Sequence, residues 1–151
     1  MLLLEMILRY GRYHLWGHDR ALKMIEASGA PEDAVNPFRH TLAADQIWLQ
    51  RIRFGGQPTA DEPADLAAAK DLLFELKRQW SELFESLTDE ALLKVMAYRN
   101  MKGDPYEHSL GEILMHVFNH GTHHRGQIAR AVRLAGGEPI PTDLIVFFRQ
   151  E

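Results

Sequence analysis

Ser109-Leu110-Gly111-Glu112-Ile113-Leu114-Met115-His116-Val117-Phe118-Asn119-His120-Gly121-Thr122-His123-His124 is the stretch on which the fold turns. It opens as a capping box: the Ser109 hydroxyl and the Glu112 carboxylate can satisfy each other's backbone amides at a helix start. The helix is expected to run to Ala135, where Gly136-Gly137 ends it. Each residue turns an α-helix by about 100°, so with His116 at the origin, His123 falls at roughly -20°, His120 at about 40° and His124 at about 80°. All four imidazoles therefore share one side with Ile113, Val117, Gln127 and Ile128, which predicts that this side faces the core.

Working backwards, three more amphipathic segments appear. Leu66, Ala69, Leu73, Leu76, Trp80, Leu83 and Leu87 keep alternating steps of three and four and predict a helix from about Pro63 to Leu87. Before it, Asn36-Pro37 reads as a helix start and Gly55-Gly56 as its end. The first segment, from about Leu2 to Ser28, carries Leu4, Ile7, Leu8, Gly11, Leu15, Leu22 and Ile25 on one face and stops at Gly29, with Pro31 beyond. Residues 88 to 108 have some strand character around Leu93 to Tyr98 and a turn signal at Lys102-Gly103-Asp104-Pro105, which predicts a short β-hairpin. Thr142 to Glu151 predicts a short terminal helix. The expectation is an all-α, four-helix bundle with a hairpin between helices 3 and 4, spanning 1–151 as a single domain.

Composition narrows the function. A formal net charge of -4 and the lack of a basic stripe argue against nucleic-acid binding. The apolar start is interrupted by Glu5 and Arg9 and fits neither a signal peptide nor a membrane span, so no membrane partner and a cytoplasmic location are expected. With no Cys, thiolate ligands and a cysteine nucleophile are excluded, and a metal site must use imidazoles, carboxylates and water.

The eight His are the unusual feature, four of them lying between residues 116 and 124. An unpaired ring nitrogen in an apolar core costs about 1–3 kcal/mol, so such a cluster needs a purpose. His120 and His124, one turn apart, are the strongest ligand pair. A third ligand must come from another helix. His40, on the stripe of Ala44 and Ile47, is the best candidate, and His18, between Leu15 and Leu22, is an alternative third or a fourth. His14 lies off the main stripe of the first helix, His108 precedes the cap, His123 reads as solvent-facing or supporting, and His116 as a core hydrogen-bonder. Three imidazoles with open positions suit Zn²⁺, and also Ni²⁺ or Fe²⁺. Such a site can lower the pKa of a bound water or thiol. No partner base stands out, since Glu112 is committed to its cap and Asp45 and Asp143 have no further support.

Asn119 to Ile128 resembles the helix-four signature of the DinB/YfiT-like family. Arg39-His40-Thr41-Leu42 with Asp45 and Trp48 resembles that family's helix-two motif, and Arg12-Tyr13-His14-Leu15-Trp16-Gly17-His18 its first helix. The tail Gly137 to Asp143 is also similar. The resemblance implies a four-helix bundle, a homodimer, and a three-His divalent metal site at His40, His120 and His124. The family usually has Asn where this chain has His18, so an extra imidazole stands near the expected pocket. Some relatives are thiol-dependent S-transferases and a more distant one a thiol-dependent isomerase. The resemblance thus implies a metal-dependent transferase or hydrolase acting with a small-molecule thiol or water. The rival expectations are a non-catalytic metal-binding stress-response module and a dimeric interaction protein.

Overall fold

The computed structural model describes residues 3–150. Met1 lies outside them, as do Leu2 and Glu151, the expected first residue of the first helix and last residue of the terminal one. The described residues form α1 (Leu3–Ala27), α2 (Glu32–Phe54), α3 (Leu66–Ser86), the one-turn α4 (Asp89–Leu93), strands β1 (Val95–Arg99) and β2 (Pro105–Ser109), α5 (Leu110–Leu134) and the short α6 (Leu144–Phe148). The four long helices make the expected bundle. Both α1 and α2 pack on α5 and on α3, and they meet each other across the diagonal. The core between them is built on Trp80, Phe38, Phe118, Met24, Leu42 and Leu76, all fully buried. Each such side chain contributes about 1.5–3 kcal/mol relative to exposure.

Helix starts follow local chemistry. The α5 capping box forms as expected, with Ser109 accepting from the Glu112 amide and the Glu112 carboxylate accepting from the Ser109 amide. Asp65 caps α3 by accepting from the Ala68 amide, and Thr88 caps α4 from Ala91. The expected start of the second helix is corrected: α2 begins at Glu32, and Pro37 lies inside it. Pro31 fixes the entry, and Glu32 and Asp33 place negative charge where the helix dipole is positive, a signal that outweighs Asn36-Pro37.

The hairpin pairs Val95 with Ser109 and Arg99 with Pro105 in antiparallel register. It is tied to the α2–α3 loop by the Arg99 amide donating to the Gly56 carbonyl at 3.0 Å and by Gln57 donating to the Met101 carbonyl at 3.2 Å. The hairpin thereby forms a wall beside the α2–α5 groove. No helix among the described residues is long and apolar enough to cross a membrane.

Candidate metal centre

Among the described residues two clusters of candidate ligands stand in the bundle, an open one of three histidines and a sealed one of two histidines and an aspartate. The open one joins α2 to α5. These helices run antiparallel, so His40 near the start of α2 lies opposite His120 and His124, while Trp48 lies opposite His116. His40, His120 and His124 each bring one ligand atom to within 4.8 Å of the other two. The Nε2 atoms of His120 and His124 are 3.0 Å apart. Two nitrogens on a tetrahedral ion at zinc distances would stand about 3.3 Å apart, so the pair needs little adjustment to share one.

The rings are held from behind. His40 Nδ1 donates to Glu62 Oε1 at 3.0 Å, and His124 Nδ1 donates to Gln127 Oε1 at 2.7 Å. These bonds occupy the far nitrogens and leave Nε2 of each ring as the ligand atom, the arrangement that metal-ligating imidazoles commonly show. Arg39 Nε donates to the Pro63 carbonyl, fastening to α2 the loop that carries Glu62. Gln127 in turn donates to His123 at 3.3 Å, so His123 supports a supporter and stands exposed.

Burial pushes the His120 imidazole down to about 4, with the neighbouring His124, His116 and His40 adding to the effect. His124 is lowered too, chiefly by burial. Both are therefore neutral at pH 7, the state in which imidazole binds a metal.

The expectation that all four α5 imidazoles face the core is corrected. The buried side of α5 carries Leu114, Val117, Gly121, Arg125, Ile128 and Val132. On the angular scale used above these centre near 140°. His124 and His120 sit on the margin of that side and are half-buried, whereas His116 and His123 point away and are exposed. His116 is thus no core hydrogen-bonder; its ring lies edge-on to Trp48 at 5.3 Å.

The sealed cluster was missed. His14, His18 and Asp45 are each 1% exposed or less and also bring ligand atoms within 4.8 Å of one another. His14 Nε2 lies 2.7 Å and His18 Nε2 3.1 Å from Asp45 Oδ2, and Trp80 Nε1 donates to the same oxygen at 3.1 Å. Because both imidazoles aim at one acceptor, their Nε2 atoms crowd to 3.0 Å. Burial drives the His14 imidazole down to about 4, against the opposing pull of Asp45. Burial would raise the Asp45 carboxyl, but the imidazoles around it win and hold it below the usual carboxylate range. A neutral His14 donating from Nε2 leaves Nδ1 as an acceptor, and that atom has no partner; neither has Asp45 Oδ1.

His18 therefore sits with His14 and Asp45, apart from the trio. His14, set aside as off-stripe, is fully buried because the core stripe of α1 runs through Ile7, Gly11, His14, His18, Ala21 and Ile25. Leu15 and Leu22, which carried the sequence reading, are only half-buried beside it. Two glycines permit this closeness. A Cβ on Gly121 would lie 2.6 Å from the His14 ring, and one on Gly17 2.6 Å from the Arg125 guanidinium. Asp45 is no base at the open cluster: it is buried, and its Oδ2 is engaged by His14, His18 and Trp80. His108 is exposed on β2, where its Nδ1 meets the Tyr98 hydroxyl at 3.0 Å. Asp143 is exposed at the start of α6.

A cleft of about 310 Å³ reaches the open cluster. His40, Ala43, Ala44, Trp48, Arg51 and His120 are among its walls, with Glu62 and Met101 at its rim. A larger depression of about 580 Å³ lies on the hairpin, and its lining includes no member of either cluster.

The family model described as DinB family matches residues 34–151, which contain His40, His120 and His124. "Protein DinB" of Bacillus subtilis (strain 168) is 28% identical over 116 residues, covering 69% of this chain and 65% of that protein. The chain thus spans about 65% of the length of this curated relative.

Proposed function

The chain belongs to the DinB family, and on that premise we propose that it is a metal-dependent enzyme in which His40, His120 and His124 hold one divalent cation. The observation that carries this reading is the convergence of three imidazoles from two helices, two of them braced through Nδ1 by Glu62 and Gln127. An all-nitrogen donor set fits Zn²⁺, Ni²⁺ or Fe²⁺. A cation held there would supply Lewis acidity, lowering the pKa of a thiol or water brought to its open side. The chain's own part is to keep the rings neutral and aimed, to shape the cleft with Trp48 and Ala44, and to leave one side of the cluster facing it. Transfer to or from a small thiol, or hydrolysis, is the reaction class this arrangement serves, with a homodimer as the working form.

The test is thiol conjugation to a small electrophile, followed with chelated and metal-reloaded protein. Metal-dependent turnover that His120→Ala abolishes supports the reading. Equal rates with and without metal contradict it.

The sealed cluster favours one rival. A closed His14–His18–Asp45 donor set, out of reach of solvent, suits an ion that serves stability and not reaction. In that case metal would survive His120→Ala and be lost in His14→Ala.

A further inference from the structure

Arg51 is 6% exposed, yet no carboxylate among the described residues pairs with it. Its Nε has no hydrogen-bond partner, and Nη2 reaches only the Met101 sulfur at 3.9 Å, a weak acceptor. The guanidinium lies against a pair of touching rings, 4.5 Å from the Trp48 ring centre and 5.4 Å from that of Tyr98. Cation–π contacts of this kind hold the plane in place but satisfy none of its N–H donors. Leaving a buried charged donor unmet costs more than leaving a neutral one, which makes this edge a waiting half of an interaction.

Arg51 lines the same cleft as His40 and His120. Residues 40 and 51 differ by eleven positions, which turns α2 by about 1,100°, or roughly 20° beyond three full turns, and separates their Cα atoms by about 16 Å. They therefore share one face. Helical side chains lean toward the N-terminus, and Arg51, the longer of the two, leans farther than His40, so their functional ends stand on the order of 10–15 Å apart. Glu62 stands beside His40 at one part of the cleft, and the Arg51 guanidinium lines another.

We propose that Arg51 anchors the anionic group of the substrate. The cleft takes a small molecule with a metal-seeking head at His40, His120 and His124 and an oxyanion, such as a carboxylate or phosphate, on the order of 10–15 Å away. The Nε–Nη2 edge of Arg51 donates two parallel bonds to that oxyanion, displacing the Met101 sulfur. Ligand softness sets the orientation, since the thiol head prefers the ion at the imidazoles and the harder oxyanion takes the guanidinium. The metal-seeking head rests on the function proposed above; the anion preference does not.

The test is calorimetric titration of metal-loaded and metal-free protein, with metal content measured in each sample. The probes are ω-mercaptoalkanoates of three to eight carbons, the mercaptoalkanols of the same lengths, and mercaptoalkylphosphonates. At the chain length that spans the cleft, the acid is expected to bind at least tenfold tighter than the alcohol. Arg51→Gln should bring the two within twofold while metal content holds. Arg51→Lys keeps the charge and the fold but loses the paired edge, and should fall between. Met101→Ala, at an exposed hairpin position, should keep or strengthen acid binding. Comparing acid with phosphonate tells a carboxylate site from a phosphate site. Equal binding of acid and alcohol to wild type, or an acid preference that survives Arg51→Gln, overturns the proposal. A protein that takes up no metal yet prefers acids through Arg51 overturns the metal reading alone.

Discussion

His124 stands between two partners, with Nδ1 2.7 Å from Gln127 Oε1 and Nε2 3.0 Å from His120 Nε2. The side chain of Gln127 thus fixes which nitrogen His124 offers to the cleft. Gln127→Ala should keep one metal per chain but weaken its affinity by about 10–100-fold, the usual cost of losing a brace behind a ligand. Competition with a chromophoric chelator measures this. Unchanged affinity would mean that the ring is held by packing alone.

Asp45 accepts from two imidazoles and an indole in a site with no solvent contact. Asp45→Ala strands three donors and should cost about 3–5 kcal/mol, as breaking a buried charged network does. Urea unfolding reads the loss. A cost below 1 kcal/mol would show that the network contributes little to stability.

The same network sets a pH dependence. The folded His14 imidazole lies near 4 against its ordinary 6.5. Between these values the unfolded chain binds a proton at His14 and the folded chain does not. Stability is therefore complete above pH 6.5 and drains away as the pH falls toward 4, by on the order of 3 kcal/mol. Neutral His120 acts in the same direction. Urea midpoints at pH 7 and pH 5 should differ, with a smaller difference in His14→Gln. A flat profile would contradict the buried neutral imidazole.

Gly121 leaves α5 bare where the His14 ring passes, and a methyl there would stand 2.6 Å from it. Gly121→Ala should therefore destabilise by about 1–3 kcal/mol through overpacking. A midpoint equal to that of wild type would mean that α1 moves freely against α5.

Much of this was legible in the sequence, though unevenly. The α5 start was readable because a capping box is local, and the His120–His124 pair because a helix fixes i and i+4 neighbours. His40 was reachable because it shared a stripe with small apolar residues. Its Glu62 partner was not, since a loop residue's position depends on tertiary ties such as Arg39 to Pro63. The sealed cluster was hidden for a different reason. Hydrophobic periodicity follows Leu15 and Leu22, while the α1 positions facing the core hold His14, Gly17, His18 and Ala21, which score as polar or small. A buried polar network inverts the signal that periodicity relies on. His14 and His18, four residues apart on α1 as His120 and His124 are on α5, were the available clue. The start of α2 was misread because Pro37 looked like a first-turn residue, although Glu32-Asp33 after Pro31 gave a better start.

The central claim is that imidazoles of α2 and α5 meet on one cation, and elemental analysis of untagged, chelator-free protein addresses it most directly. About one divalent ion per chain is expected in wild type and in His14→Gln, and close to none in His40→Ala, His120→Ala and His124→Ala, with each variant folded by circular dichroism. Wild-type protein that carries no ion and takes up neither Zn²⁺ nor Ni²⁺, or an ion retained by all three alanine variants, would contradict it.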